Sequence, residues 1–135
     1  MEILYCSAIM NNNKVIKIYG ITNCSTVAKA IKWLETNNLE FKFWNYKKQG
    51  IDSNHLNNWC NNFGWEKVIN RSGMMWRKAD QKVKDKVIDQ HSAMEFMILT
   101  PNSIKRPVIE IVDNNTQKIS YILGFDETVY SNTLK

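Results

Sequence analysis

The stretch Val15–Leu34, VIKIYGITNCSTVAKAIKWL, holds the turn from which the rest of the chain can be read. Val15 to Tyr19 is short, apolar and rich in β-branched residues, and it stops at Gly20, which fits a buried strand running into a turn. Ile21–Asn23 then reads as a loop. From Ser25 to Asn37, Val27, Ile31 and Leu34 recur at helical spacing with Ala30 beside them. Lys29, Lys32 and Glu35 face away, so the spacing predicts an amphipathic helix. Cys24 therefore sits between a strand and the first turn of a helix. A thiol there meets unpaired backbone N–H groups and the positive end of the helix dipole, both of which favour the thiolate. The same N–H groups can hold an oxyanion.

Working outward, Glu40 to Tyr46 alternates Phe41 and Phe43 against Lys42 and Asn45, which predicts a second strand, with Lys47–Asp52 as its exit loop. The unit so far is β-α-β, two parallel strands joined by a right-handed crossover. Leu56, Trp59, Cys60 and Phe63 form one apolar stripe of a helix ending near Gly64, and Trp65–Ile69 offers a short further one. Arg71–Lys78 breaks periodicity. Ala79–Asp89 reads as a helix carrying Val83, Val87 and Ile88, and Ser92 with Glu95 is a capping-box pattern opening a helix with Phe96, Met97 and Leu99, closed by Pro101. Val108–Val112 and Lys118–Leu123 form an antiparallel hairpin around the turn Asp113–Thr116, and a final short helix starts at Asp126. This order predicts an α/β, thioredoxin-like fold: a four-stranded mixed sheet with a helical insertion between its β-α-β and β-β-α halves. At 135 residues the chain fits one domain. Residues 14–135 are expected to form it, and residues 1–13 to be a leader or disordered N-terminal extension outside it.

The chain contains 17 Asn and 15 Lys but only 3 Arg, with a net charge of +5. From Trp65 to Gln90 the basic residues are interleaved with Glu66, Asp80, Asp85 and Asp89. That pattern predicts a solvated helical face and gives no ground for nucleic-acid binding. Cys6, Cys24 and Cys60 cannot all pair within one chain, and none has CxxC or Cys/His spacing, so no metal is expected and a reduced, cytoplasmic protein is. The apolar opening Met1–Ile9 lacks a positive n-region and is far too short to span a membrane, so no membrane association is expected. Cys60 on an apolar stripe and Cys6 in the leader read as packing residues. Against the lysine background, Arg77 and Arg106 stand out, because lysine replaces arginine badly where a planar, bidentate donor is needed. Arg106 precedes Pro107 at the start of a strand, and an X-Pro bond there can be cis.

Four motifs carry a family resemblance: Ile18-Tyr19-Gly20-Ile21-Thr22-Asn23-Cys24-Ser25-Thr26-Val27, Trp76-Arg77-Lys78, Thr100–Val108 with Arg106-Pro107, and Gly124-Phe125-Asp126-Glu127. Together they resemble the arsenate reductase (ArsC)/Spx family, most closely its YffB-like subgroup, over about Lys14 to Tyr130. The resemblance implies a thioredoxin-like fold with a helical insertion and Cys24 as redox nucleophile. It implies that Arg77 and Arg106, with Lys78, bind an oxyanion or thiol cosubstrate and that Pro107 is the cis proline beside the cysteine. Asn23, Ser25 and Thr26 are expected to supply loop and helix donors. The implied activity is glutathione-dependent thiol oxidoreduction with no bound cofactor, glutathione or a glutaredoxin being the partner. The alternative is a non-catalytic, Spx-like regulator that binds RNA polymerase or another protein. Two departures sharpen the expectation. No arginine follows Arg106, where the glutathione-coupled arsenate reductases carry a third, which argues against arsenate. Val27 stands three after Cys24, where Spx regulators carry the second cysteine of their switch.

Overall fold

A computed structural model describes residues 13–135; Cys6 and the expected leader, apart from Asn13, lie outside the described residues. Strands β1 (Lys14–Gly20), β2 (Lys42–Asn45), β3 (Val108–Asp113) and β4 (Ile119–Leu123) form one sheet in the order β2-β1-β3-β4. The helices in chain order are α1 (Ser25–Thr36), α2 (Tyr46–Gln49), α3 (Ser53–Phe63), α4 (Trp65–Val68), α5 (Met74–Arg77), α6 (Gln81–Asp85), α7 (Gln90–Leu99) and α8 (Glu127–Leu134), with a 3-10 turn at Pro101–Ser103. The described residues group into two compact units: the residues up to Trp44 together with Arg106–Lys135, and Asn45–Lys105.

The first unit holds the sheet. β3 pairs antiparallel with both β1 and β4, and the sheet is mixed, so β2 runs parallel to β1 as a helical crossover requires. This is the thioredoxin-like arrangement expected from the element order. Period-two alternation puts Ile16, Ile18, Ile109, Ile111 and Ile122 on one face, and Ala30 and Leu34 of α1 and Tyr130 of α8 pack against them. Each fully buried aliphatic side chain contributes about 1.5–3 kcal/mol. Tyr130 fixes α8 further: its hydroxyl donates to Gly124 O at 2.7 Å, and its ring meets Trp33 and Phe125 edge-on. On the opposite face Tyr19 donates to Glu110 Oε1 at 3.1 Å, both side chains being buried. Register then decides where chemistry can sit. Tyr19 lies opposite Val108, so the chain leaving β1 towards Cys24 and the chain entering β3 through Arg106-Pro107 meet at one end of the sheet.

The second unit is helical. Tyr46, Leu56, Trp59, Cys60, Val68, Ile69, Ala93, Met97 and Ile104 are buried in it, and α3 packs on α4 and α7. Its C-terminal end is tied to the segment that leaves α4: Ile69 bridges Ile104, Asn70 N donates to Ser103 O at 2.7 Å, and Lys105 N to Val68 O at 2.7 Å. Here the local expectations need correcting. The exit loop expected at Lys47–Asp52 begins with helix α2, because Asn45 caps it by accepting from Lys47 N and Lys48 N. The aperiodic Arg71–Lys78 contains α5. The helix expected over Ala79–Asp89 shrinks to α6, and Val83 and Ile88 are exposed rather than core. Ser92 Oγ accepts from Ile88 N at 2.9 Å, a donor that a continuing helix would turn to Lys84 O, and Asp89 starts the next helix. Asp89 is extended, accepts from Ser92 N at 2.9 Å and forms a capping box with Ser92. The box therefore sits three residues before the expected Ser92/Glu95 pattern and starts α7 at Gln90, where Ala93 and Met97 are buried while Leu99 is exposed.

Candidate functional site

The end of β1 and the start of α1 are built to touch. A Cβ on Gly20 would stand 2.8 Å from Val27 Cγ2 and 3.2 Å from Val27 Cγ1, so the absence of a side chain there lets the first helical turn seat on the strand end. Cys24 is the N-cap residue of α1, extended at φ −141°, ψ 120°, with its carbonyl accepting from Ala28 N at 3.0 Å. Its sulfur closes no N-cap hydrogen bond of ordinary geometry, as expected of a neutral thiol, which is a weak acceptor. The half-buried thiol nevertheless ionises more readily than a free one. Burial opposes this and is the largest single influence. The Val27 N–H, the Arg106 guanidinium and the Thr26 N–H together outweigh it, and the pKa is lowered.

Arg106 reaches the sulfur as both a hydrogen-bond donor and a positive charge. It is half-buried, with Nε shielded from solvent. The Arg106–Pro107 bond is cis, Pro107 is buried, and Pro107 O accepts from Gly124 N at 2.8 Å. Of the residues singled out in the sequence, the sheet unit brings together Cys24, Thr26 and Arg106, with Pro107 next in the chain. Asn23 and Ser25 are exposed neighbours of Cys24. Arg77 and Lys78 belong to the helical unit, where both are exposed at the end of α5. Sequence reasoning missed Val27 and Gly20. The first was legible as the third helical residue after an N-cap, the position whose N–H faces the cap side chain; the close approach at Gly20 has no local signal beyond the glycine itself.

The arrangement offers a thiolate with a guanidinium beside it, which suits attack on a soft centre such as a disulfide sulfur in a molecule that carries negative charge. Cys24 and Cys60 are both free thiols. Among the described residues no group of three or more His, Cys, Asp and Glu side chains gathers as for a metal ion, and no helix is long and apolar enough to cross a membrane.

Known proteins share this architecture. The sequence profile of the ArsC family matches residues 19–132. An uncharacterized protein of Haemophilus influenzae is 37% identical over 116 residues, which is 86% of this chain and 96% of that protein. The solved structure of a YffB protein is 36% identical, superposes with a TM-score of 0.81 and covers 90% of this chain and 100% of its own. An arsenate reductase (ArsC) related protein from Brucella melitensis is 35% identical with a TM-score of 0.65, covering 90% and 95% of the two chains. With its sheet order, its cysteine at a helix N-terminus and its Arg-Pro pair in place, the chain belongs to the ArsC family.

Proposed function

We propose that this chain is a thiol oxidoreductase that reduces mixed disulfides at the expense of glutathione. The observation that carries the reading is the place of Cys24 at the N-cap of α1 with the Arg106 guanidinium beside its sulfur, a setting that favours the thiolate. The Cys24 thiolate attacks the glutathionyl sulfur of a mixed disulfide. The S–S bond breaks, the released thiolate takes a proton from solvent, and Cys24 is left bonded to glutathione. A second glutathione thiolate attacks that outer sulfur and forms glutathione disulfide, restoring the Cys24 thiolate. Arg106 serves both half-reactions: it favours the thiolate as attacking and as leaving group, and it attracts a glutathione carboxylate. A glutathione-reduced compartment such as the cytoplasm fits this cycle.

The test is turnover of a glutathione mixed disulfide with glutathione in excess, by wild type and Cys24→Ser, with arsenate in parallel. Wild type is expected to turn over the disulfide and Cys24→Ser to fail. Arsenate is expected to be a poor substrate, since no arginine follows Arg106. Turnover of neither substrate by protein with a reactive Cys24 would overturn the reading and leave non-catalytic partner binding in its place.

A further inference from the structure

We propose that the surface formed by Arg71–Ile88 of the helical unit docks an acidic protein segment whose carboxylates alternate with apolar side chains. The stretch carries Arg71, Arg77, Lys78, Lys82, Lys84 and Lys86 against Asp80 and Asp85, a local charge of +4 in a chain of net +5. A solvated helical face explains the charge but not the apolar residues mixed with it. Met74 is 58% exposed, Met75 42%, Val83 42% and Ile88 74%. Exposed apolar side chains set among mostly basic ones are the composition of an interaction surface, and methionine adapts its shape to whatever it meets. The surface is braced from beneath. The Trp76 ring packs edge-on against Phe96 at 5.5 Å, Lys84 Nζ lies 5.8 Å over Trp76, and the same ammonium donates to Arg77 O at 3.2 Å, joining α6 to α5.

An acidic peptide fits better than the two other anionic partners. A phosphate backbone would meet the basic side chains but leave Met74, Met75, Val83 and Ile88 uncovered, whereas a segment that alternates carboxylates with apolar side chains covers both kinds. An amphipathic helix lying in a membrane interface is one continuous element, and here α5 and α6 are of four and five residues, separated by Lys78–Asp80. Arg77 and Lys78, which the family resemblance gives to an anionic cosubstrate, lie within this stretch, so the surface variants alter only Lys82, Lys86, Met74 and Met75.

Fluorescence anisotropy with a labelled synthetic peptide of alternating glutamate and leucine tests it. Wild type is expected to bind saturably. The pair Lys82→Glu and Lys86→Glu should weaken binding about tenfold, and the pair Met74→Ser and Met75→Ser about fivefold. Cys24→Ser should bind like wild type. All four altered surface side chains are exposed, so the variants are expected to fold, and unchanged circular dichroism checks this. The proposal is overturned if a serine–leucine peptide binds as tightly, if charge reversal leaves binding unchanged, or if single-stranded DNA or phosphatidylserine vesicles bind more tightly than the acidic peptide.

Discussion

Cys24 and Cys60 are the same side chain in opposite electrical settings. Cys60 lies on the buried stripe of α3, and burial alone pushes its thiol up to about 11. Cys24 also pays a desolvation penalty, yet it ends below the ordinary thiol value because Val27, Arg106 and Thr26 direct donors and charge at it. Burial is common to both, so it cannot be what makes a cysteine reactive in this fold. The difference lies in the backbone. One thiol stands where a helix begins and its N–H groups point outward, the other in mid-helix, where those groups bond the preceding turn.

The largest expected effect is on reactivity. At pH 7 a thiol with a pKa of about 11 is ionised to roughly one part in ten thousand, while the lowered Cys24 thiol is ionised to a larger fraction than a free cysteine. Alkylation followed residue by residue by mass spectrometry should label Cys24 at least a hundredfold faster than Cys60. Cys24→Ser should reduce turnover by about a thousandfold or more, and Cys60→Ser should leave it within about twofold. Equal labelling of the two thiols would end the comparison. Next comes Arg106→Ala. Loss of the positive charge moves the Cys24 pKa upward, so alkylation at pH 7 should slow about tenfold and its pH midpoint should rise; an unmoved midpoint would show that the helix N-terminus acts alone. Gly20→Ala is expected to do less. The new methyl group must push Val27 away, taking one N–H donor off the sulfur, and alkylation should slow severalfold with turnover falling in proportion.

The sheet half of the fold was legible because its signals are local and redundant: a β-branched apolar run ending at a glycine in β1, alternation in β2, helical period in α1, and turn residues between. The Ile16, Ile18, Ala30 and Leu34 core follows directly from that pattern. The helical half was less so. Val83, Val87 and Ile88 keep a helical spacing that predicts a buried stripe, but Ser92 Oγ takes the Ile88 N–H that a continuing helix would turn to Lys84 O, so the stripe never forms and Val83 and Ile88 face solvent. A side chain bonding to nearby backbone competes with helix continuation, and hydrophobic period alone does not register that competition. At the site, Cys24 could be read from position. The reach of Arg106 to Cys24 could not, because it depends on the β1–β3 register that sets Tyr19 opposite Val108, residues 89 apart in sequence.

The smallest effect concerns stability, and it extends the comparison to the other helix ends. Asp52 caps α3 by accepting from His55 N at 2.8 Å, Asp89 caps α7 and Asp126 caps α8, while α1, the longest helix, starts at a cysteine that closes no such bond. Cys24 thus forgoes a stabilising cap at the position where thiolate chemistry needs the donors. Asp52→Ala should cost about 1 kcal/mol in denaturant unfolding, and Cys24→Asp should gain up to about as much while abolishing turnover. The pH dependence has a definite sign. The His55 backbone N–H, then its ring, hold the Asp52 carboxyl below its ordinary 3.8. A depressed acid contributes its full stability above the ordinary value and loses it as the pH falls through the lower, folded value. The destabilisation caused by Asp52→Ala should therefore be constant from neutral pH down to about pH 5 and shrink below pH 4. A difference that persists unchanged to pH 2 would mean that the aspartate acts by packing and not as a charged cap.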